Sequence, residues 1–461
     1  MEKLSKVSPF RLSSLLRQEK NPKLAVQLFL NASTDPSANP KPFRHSHLSY
    51  DLIISKLGRA KMFDEMEQIL NKLKLETRFF PKEIIFCNVI SFYGRAKLPD
   101  RALKMFDEIP YFRCERTVKS VNCLLNALLN CGEFDKIKKI FVGISQFANP
   151  DVCTYNIMIN ACCRFGRLVD GWKVIDEMRE RGIHPNVVTF GTLIHWLCKD
   201  LRLNEALQLK KEMLRVFGLK PDRFVYAPLI KGFCEVDGLT RAVELKQEMI
   251  RCKLGLDSVI YTTLISAFFR AGRKLEALEA LEEMRKMGCK PGTATYNAVI
   301  SGFCKDGDLE SASRVLDEMV ESGCKPDVIS YNIILAAFCR EGKVKEATEL
   351  FEDMPRRGCV PDVVSYRILF DGLSDHMQFE EASSILDEMI FKGYAPCYAN
   401  LQIFVESLCR EGYVELVSRI LCIMAKANII CLDVWGLVIS RVYNKDKASL
   451  TSDLVDALLV S

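Results

Sequence analysis

The stretches "GCKPGTATYN", "GCKPDVISYN" and "GCVPDVVSYR" begin at Gly288, Gly323 and Gly358, 35 residues apart each time. No other feature limits the fold so strongly. A repeat this short cannot bury an apolar face by itself, so successive copies must stack and share one growing core. Aligned on the aromatic of each copy, the repeats start at 47, 83, 118, 152, 187, 223, 258, 293, 328, 363 and 398. Eleven repeats then run from His47 to Leu432. The usual prior of about 150 residues per domain does not apply to such an array.

Two helices are legible inside a repeat. In the 293 repeat, Tyr296, Val299, Ile300 and Phe303 recur at helical spacing, and Gly307 ends that helix. Leu309, Ala312, Val315, Leu316 and Met319 form the apolar face of a second helix, which Gly323 and Pro326 close. Counted from each repeat start, the twentieth residue is small: Gly171, Ala206, Ala242, Ala277, Ala312, Ala347 and Ala382. The twenty-seventh is methionine from Met178 through Met389. Small residues let helices approach, and a methionine stripe at this spacing is core packing. The expected fold is all-α, an α-solenoid of helix–turn–helix repeats.

Residues 1–46 are expected to hold a transit segment, an incomplete first helical unit and a polar linker over 31–44. The N-terminus carries Lys3, Lys6, Arg11, Arg17 and Lys20 against only Glu2 and Glu19, the balance of an organellar leader. Leu12, Leu15 and Leu16, running on into "NPKLAVQLFLN", equally describe an ordinary amphipathic first helix. Residues 433–461 read as a helical cap. With 49% hydrophobic and 27% charged residues the chain has ample core material, and no apolar run reaches the roughly 18 residues of a membrane helix. No membrane insertion is expected.

Nineteen cysteines raise the question of metal or disulfides. None are spaced as CxxC, and Cys163, Cys198, Cys234, Cys304, Cys339 and Cys409 occupy the same position in different repeats. Residues one repeat apart cannot converge on one ion, so cysteine serves there as a small apolar side chain. No metal and no cofactor are expected, and the compartment is reducing. The five histidines form no ligand cluster.

The net charge of +5 is mild, so any basic function depends on where the charges sit. Position thirteen carries Arg59, Arg95, Arg164, Lys199, Arg270, Lys305, Arg340 and Arg410, one cation in eight of the eleven repeats. Such a ladder suits a phosphate backbone, with Arg164, Lys199, Arg270, Lys305 and Arg340 as the expected contacts. A cation at a helix C-terminus also gains about 0.3–1 kcal/mol from the helix dipole alone.

A 35-residue helical pair with "TYN" opening the first helix, "CK.G" closing it, "A...L..EM" in the second and "G..PD" at the seam resembles the pentatricopeptide repeat family. The near-constant length resembles its P subfamily of plant-type organellar RNA-binding proteins. The tetratricopeptide period is 34, and its first-helix tryptophan, glycine and tyrosine pattern is not reproduced. The resemblance implies a right-handed superhelix of about eleven repeats that reads single-stranded RNA one base per repeat. In that family the fifth residue and the last read the base, and the second packs against it. Carried over, Asn122 with Asp151, Asn297 with Asp327 and Asn332 with Asp362 resemble uracil readers. Asn156 with Asn186 resembles a cytosine reader, and Thr262 favours a purine, although its partner Gly292 has no side chain. Cys153, Val188, Val259, Ala294 and Ile329 take the base-packing role.

Gly191 with Asp222 and Ala227 with Asp257 lack a polar fifth side chain and are expected to accept any base. Arg367 with Cys397, Gln402 with Leu432, Asp51 with Lys82 and Cys87 with Thr117 match no reading pair. The implied target has the form U-C-n-n-n-U-U. An aspartate or asparagine after the turn also caps the next helix, whatever else it does.

No catalytic module is expected. The 29 residues from Asp433 onward contain no histidine or cysteine, unlike the zinc deaminase-like or nuclease-like domains of some family members. The expected role is sequence-specific RNA binding in organellar transcript stabilisation, processing, splicing or translation, in the mitochondrion first and the chloroplast as alternative. Protein cofactors are expected partners, and a protein-binding scaffold is the competing class.

Overall fold

The computed structural model describes residues 8–31, 44–413, 415–417, 419–420 and 424. The expected linker over 31–44 falls, apart from its two ends, outside them, as does the expected cap over 433–461. The chain divides into two compact units, Met1–Gly232 and Phe233–Ser461. Among the described residues all regular structure is helical.

In the first unit the helices Pro9–Gln18 and Pro22–Asn31 pack on His47–Arg59. The expected single amphipathic run is in fact two helices, because Pro22 cannot continue a preceding helix but can begin one. Leu12, Leu16, Ala25 and Phe29 are fully buried, and the Ser13 and Ser49 hydroxyls meet at 2.9 Å. This pair therefore extends the array by one layer.

The first helices of the repeats begin at His47, Glu83, Val118, Val152, Val187, Arg223, Ser258, Thr293, Val328, Val363 and Tyr398, which are the eleven starts expected from the period. Within the first unit, Glu83–Arg95, Val118–Cys131, Val152–Arg164 and Val187–Lys199 pack each on the next. Within the second, Ser258–Arg270, Thr293–Lys305, Val328–Arg340 and Val363–Asp375 do the same. In the repeats starting at 47, 83, 118, 152, 187, 258, 293, 328 and 363 the second helix folds back on its own first, as Leu309–Glu321 does on Thr293–Lys305. The second helix of the 328 repeat stops at Asp353, short of Pro355.

The core repeats with the sequence. Ala206, Ala242, Ala277, Ala312, Ala347 and Ala382 are buried completely, as is every methionine from Met178 to Met389 at position twenty-seven. The fourth-position tyrosines Tyr155, Tyr261, Tyr296 and Tyr366 are buried too, and their hydroxyls need partners. Glu177, Glu283 and Glu388, each just before the methionine, accept from Tyr155, Tyr261 and Tyr366 at 3.4, 3.3 and 2.6 Å. That bond gives the glutamate of "EM" a partner in these three repeats, whereas Tyr296 donates to the Ser322 hydroxyl at 3.1 Å. Burial pushes the thiols of Cys163 and Cys234 up to about 12 and those of Cys304 and Cys339 up to about 11. Cysteine at position twelve is thus an inert, small core residue.

One backbone feature recurs in every repeat. The fifteenth residue takes the left-handed conformation, through Gly132, Gly166, Gly272, Gly307, Gly342 and Gly412. Lys61, Lys97, Leu201, Asp237 and Met377 adopt it in the other five repeats, with φ near 60°. The same local helix-ending bonds close with or without glycine, as where the Leu201 N–H donates to the Cys198 carbonyl at 3.1 Å and the Arg202 N–H to the Leu197 carbonyl at 2.8 Å.

Candidate nucleic-acid interface

Positions two, five, nine and thirteen lie along one stripe of a first helix, at spacings of three and four. The buried face holds positions four, seven, eight and eleven, so this stripe points away from it. Second-position residues are exposed in all eleven repeats, from Leu48 to Ala399. Most are apolar: Val188 is 57% exposed, Phe224 77%, Val259 68% and Ile329 60%. Cys153 and Ala294 are exposed as well. A regular file of apolar side chains left in water, one per repeat, is an interaction surface, since exposed apolar residues are otherwise scattered.

Beside that file sit the fifth residues. Asn297 donates from Nδ2 to Oδ1 of Asp327 at 3.3 Å, and Oδ1 of Asn297 accepts from the Ser330 hydroxyl at 2.7 Å. Asp327 is at the same time the N-cap of helix Val328–Arg340. Its Oδ1 accepts the Ser330 backbone N–H at 2.9 Å, and its own N–H donates to Ser330 Oγ at 3.2 Å. The four bonds close a ring across the seam between two repeats.

The same ring recurs three more times. Asn332 donates to Asp362 at 3.4 Å and accepts from Ser365 at 2.7 Å. Asn122 donates to Asp151 at 3.1 Å and accepts from Thr154 at 2.8 Å. Asn156 donates to Oδ1 of Asn186 at 3.4 Å and accepts from Thr189 at 2.6 Å. In all four, the capping residue and the third helical residue form a reciprocal capping box. Asn156, Asn297 and Asn332 are half-buried, whereas Asn122 is 8% exposed and sits deepest.

The ring determines which atoms remain for a ligand. Oδ1 of each aspartate is used inward, and among the described residues Oδ2 receives no hydrogen bond. It remains an acceptor. In the 152 repeat the inward oxygen of Asn186 leaves Nδ2, a donor. Partial burial opposes ionisation of Asp151, Asp327 and Asp362, but the backbone, hydroxyl and amide donors around each outweigh it and hold all three below the ordinary range. The carboxylates are charged at neutral pH.

Thr262 has a different setting. Its hydroxyl donates to the Ser258 carbonyl at 2.7 Å and meets the Thr295 hydroxyl at 2.8 Å, while Gly292 caps nothing through a side chain. Gly191 leaves open space of ordinary contact, with Val225 3.8 Å from where a Cβ would stand. Arg367 reaches the Ala395 carbonyl at 2.8 Å, and Asn400 turns to Asp371 at 2.6 Å.

The thirteenth-position cations Arg164, Lys199, Arg270, Lys305 and Arg340 are all exposed. Three also hold a structural bond. Arg164 donates to the Leu129 carbonyl at 3.0 Å, Arg270 to Cys234 at 2.9 Å, and Arg340 to Cys304. Each carbonyl belongs to the last turn of the preceding first helix, so the guanidinium ties neighbouring repeats together while keeping further N–H groups for another anion. Lys199 stands 4.4 Å over the Trp196 ring. The helix-end role weighed from sequence is thus realised on the neighbour's helix instead of the residue's own.

Sequence reading placed the fifth and last residues in pairs, and the structure brings those pairs into contact in four repeats. It missed the third-position hydroxyls Thr154, Thr189, Ser330 and Ser365. The recurring "TY" and "SY" of the repeat was the available signal. Among the described residues, no group of three or more His, Cys, Asp or Glu side chains could hold a metal ion.

Comparison with known proteins agrees with the repeat geometry. The family model described as "PPR repeat family" matches residues 150–199, 185–235, 291–340 and 326–375. "Pentatricopeptide repeat domain" matches 244–306, and "PPR repeat" matches 84–114 and 364–394. Together these cover more than half of the chain. A putative pentatricopeptide repeat-containing protein of Arabidopsis thaliana is 53% identical over 249 residues, 46% of this chain and 53% of that protein. A mitochondrial pentatricopeptide repeat-containing protein of the same plant is 36% identical over 152 residues, 32% of this chain and 38% of that one. The chain thus matches about half, or less, of the length of these relatives. The crystal structure of the pentatricopeptide repeat protein PPR10 from maize shares 21% identity at a TM-score of 0.49, covering 91% of this chain and 69% of that one. On the repeat matches, the chain belongs to the pentatricopeptide repeat family.

Proposed function

We propose that this protein, as a P-type member of its family, binds single-stranded RNA with one base per repeat and has no catalytic step of its own. The observation that carries this reading is the hydrogen-bonded ring that recurs in four seams, each beside an exposed second residue. A base offers two things to protein: a flat face and a polar edge. The exposed apolar file suits the face, and the fixed amide with its outward atom suits the edge. Where Asp327, Asp362 or Asp151 closes the ring, the outward acceptor matches the N3–H of uracil. Where Asn186 closes it, the outward donor matches the unprotonated N3 of cytosine. The exposed cations at position thirteen supply the backbone attraction.

Read in the family's parallel sense, the target is U-C-n-n-n-U-U, with a purine favoured at the fifth base opposite Thr262. A strand held along the repeats is shielded from nucleases and from competing pairing, which suits transcript stabilisation, processing, splicing or translation, alone or with protein cofactors. The basic N-terminus and the mitochondrial name of a 36% identical relative support action in the mitochondrion, with the chloroplast as the alternative.

An electrophoretic binding assay tests the reading with that RNA and a version whose uracils and cytosine are exchanged. The matched RNA is expected to bind at least tenfold more tightly, with retention falling steeply as salt rises. Equal binding of both RNAs would sink the base reading. Absence of RNA binding at any salt would leave the file of apolar residues to a protein partner.

A further inference from the structure

We infer that the third-position hydroxyls Thr154, Thr189, Ser330 and Ser365 are positioning residues, each fixing the asparagine of the repeat before it and thereby setting that repeat's discrimination between uracil and cytosine. The inference deepens the RNA-binding reading and rests on it. Its first ground is distance. The bonds from the asparagine amides to the capping residues measure 3.1–3.4 Å. The bonds from the hydroxyls to the same asparagines measure 2.6–2.8 Å. O–H···O bonds are ordinarily shorter than N–H···O bonds, but the four hydroxyl bonds lie at the usual O–H···O length while three of the four amide bonds lie beyond the usual N–H···O range, so the hydroxyl is the firmer tether. With both ends of the amide held, its plane cannot swing about the side-chain torsion, and its remaining donor and acceptor face a base in one arrangement.

A second ground is burial. All four hydroxyls have essentially no exposure, so water cannot substitute for the asparagine as a partner. The third ground is the company these hydroxyls keep in the chain. Every repeat with asparagine at position five is followed by a third-position serine or threonine. After Gly191 that position is Val225, and after Ala227 it is Ile260. Helix capping does not require the hydroxyl. Asp222 accepts the Phe224 and Val225 backbone N–H groups at 3.0 and 3.3 Å, and Asp257 accepts the Ile260 N–H at 3.0 Å, with aliphatic third residues. The cap can therefore form without the hydroxyl, which in the four rings lies between the asparagine oxygen at 2.6–2.8 Å and the capping Oδ1 at 2.9–3.1 Å. Third-position hydroxyls without an asparagine before them bond elsewhere: Thr295, after Thr262, meets that hydroxyl at 2.8 Å, Ser120, after Cys87, donates to the Thr117 carbonyl at 2.9 Å, and Ser49 of the first repeat meets Ser13 at 2.9 Å.

The test uses the full chain and the seven-base RNA, with the sixth and seventh uracils changed to cytosine one at a time. Ser330→Ala is expected to reduce the uracil preference about fivefold at the sixth base only, the effect of one hydrogen bond. Ser365→Ala is expected to do so at the seventh only. The Ser330 backbone N–H that Asp327 caps survives in alanine but the bond from the Asp327 N–H to the Ser330 hydroxyl is lost, so melting temperature should fall by a few degrees, a change that is the same for every RNA and does not enter the base ratio. Ser330→Thr should retain discrimination, since Thr154 and Thr189 make the same bond. Overturning results are an unchanged preference ratio, an equal weakening for both bases, or a loss spread over both positions. A wild-type protein blind to both uracils would overturn the base reading and this inference with it.

Discussion

The seam that follows the 293 repeat and the seam that follows the 187 repeat share a backbone and differ in nearly every polar side chain. Both open the next helix on an aspartate after proline, Asp327 and Asp222, and both aspartates accept backbone N–H groups of the first turn. In the first seam Asn297 and Ser330 complete a ring, whereas in the second their places are taken by Gly191 and Val225. Ser330 and Val225 are equally buried. The helix start is therefore secured without the ring, and the ring is an addition that folding does not ask for. Capping and recognition share one aspartate but are separable in the other two residues.

The strongest way to sharpen this contrast is to build the ring where it is missing. Gly191→Asn with Val225→Thr should turn the indifferent third base into one with about a tenfold uracil preference, the scale of one to two hydrogen bonds. Gly191→Asn alone should give much less, because its amide lacks the short tether. Binding measured with each of the four bases at that position decides the matter, and equal gains from the single and double variants would break the contrast.

A smaller effect is expected from the reverse change. Asp327→Ala removes the cap together with the outward acceptor, and should cost about 1 kcal/mol of stability and the uracil preference at the sixth base. Urea unfolding and the same binding assay report the two losses separately.

The smallest effect is a pH dependence. Asp151, Asp327 and Asp362 have folded pKa values depressed below the ordinary 3.8, so each contributes stability that is present above that value and is lost as pH falls through the lower folded one. The triple Asp→Asn variant keeps the cap, as Asn186 shows, and its urea midpoint should therefore fall less than the wild type's below about pH 4. Parallel curves for the two proteins would contradict the depressed values. The same variant should exchange uracil for cytosine preference, since the outward atom becomes a donor.

Much of this was legible because the repeat multiplies each signal. The period fixed every first-helix start, and the alanine and methionine stripes marked the core. Most of what escaped the sequence depends on contacts between repeats. Arg340 was readable as a cation near a helix end, but its bond to the Cys304 carbonyl one repeat back follows from stacking. The left-handed fifteenth position was readable at Gly307, yet nothing in Leu201 or Met377 announces it. Ser330 looked like an ordinary first-turn residue, because a hydroxyl's partner is invisible until two helices are placed side by side.

The recurrence of one core has a consequence for how such a chain can change length. Residues 293–327 bring Ala312 and Met319 to the same buried positions that Ala347 and Met354 fill in the next repeat. Excising that stretch would join Gly292 to Val328 and keep the alanine and methionine stripes in register, but would set Ala337 where Gly302 now makes room for the Phe269 ring. Gain or loss of genetic material in multiples of one repeat thereby keeps the core in register, at the cost of refitting the one seam it creates, and each step lengthens or shortens the proposed RNA footprint by one nucleotide.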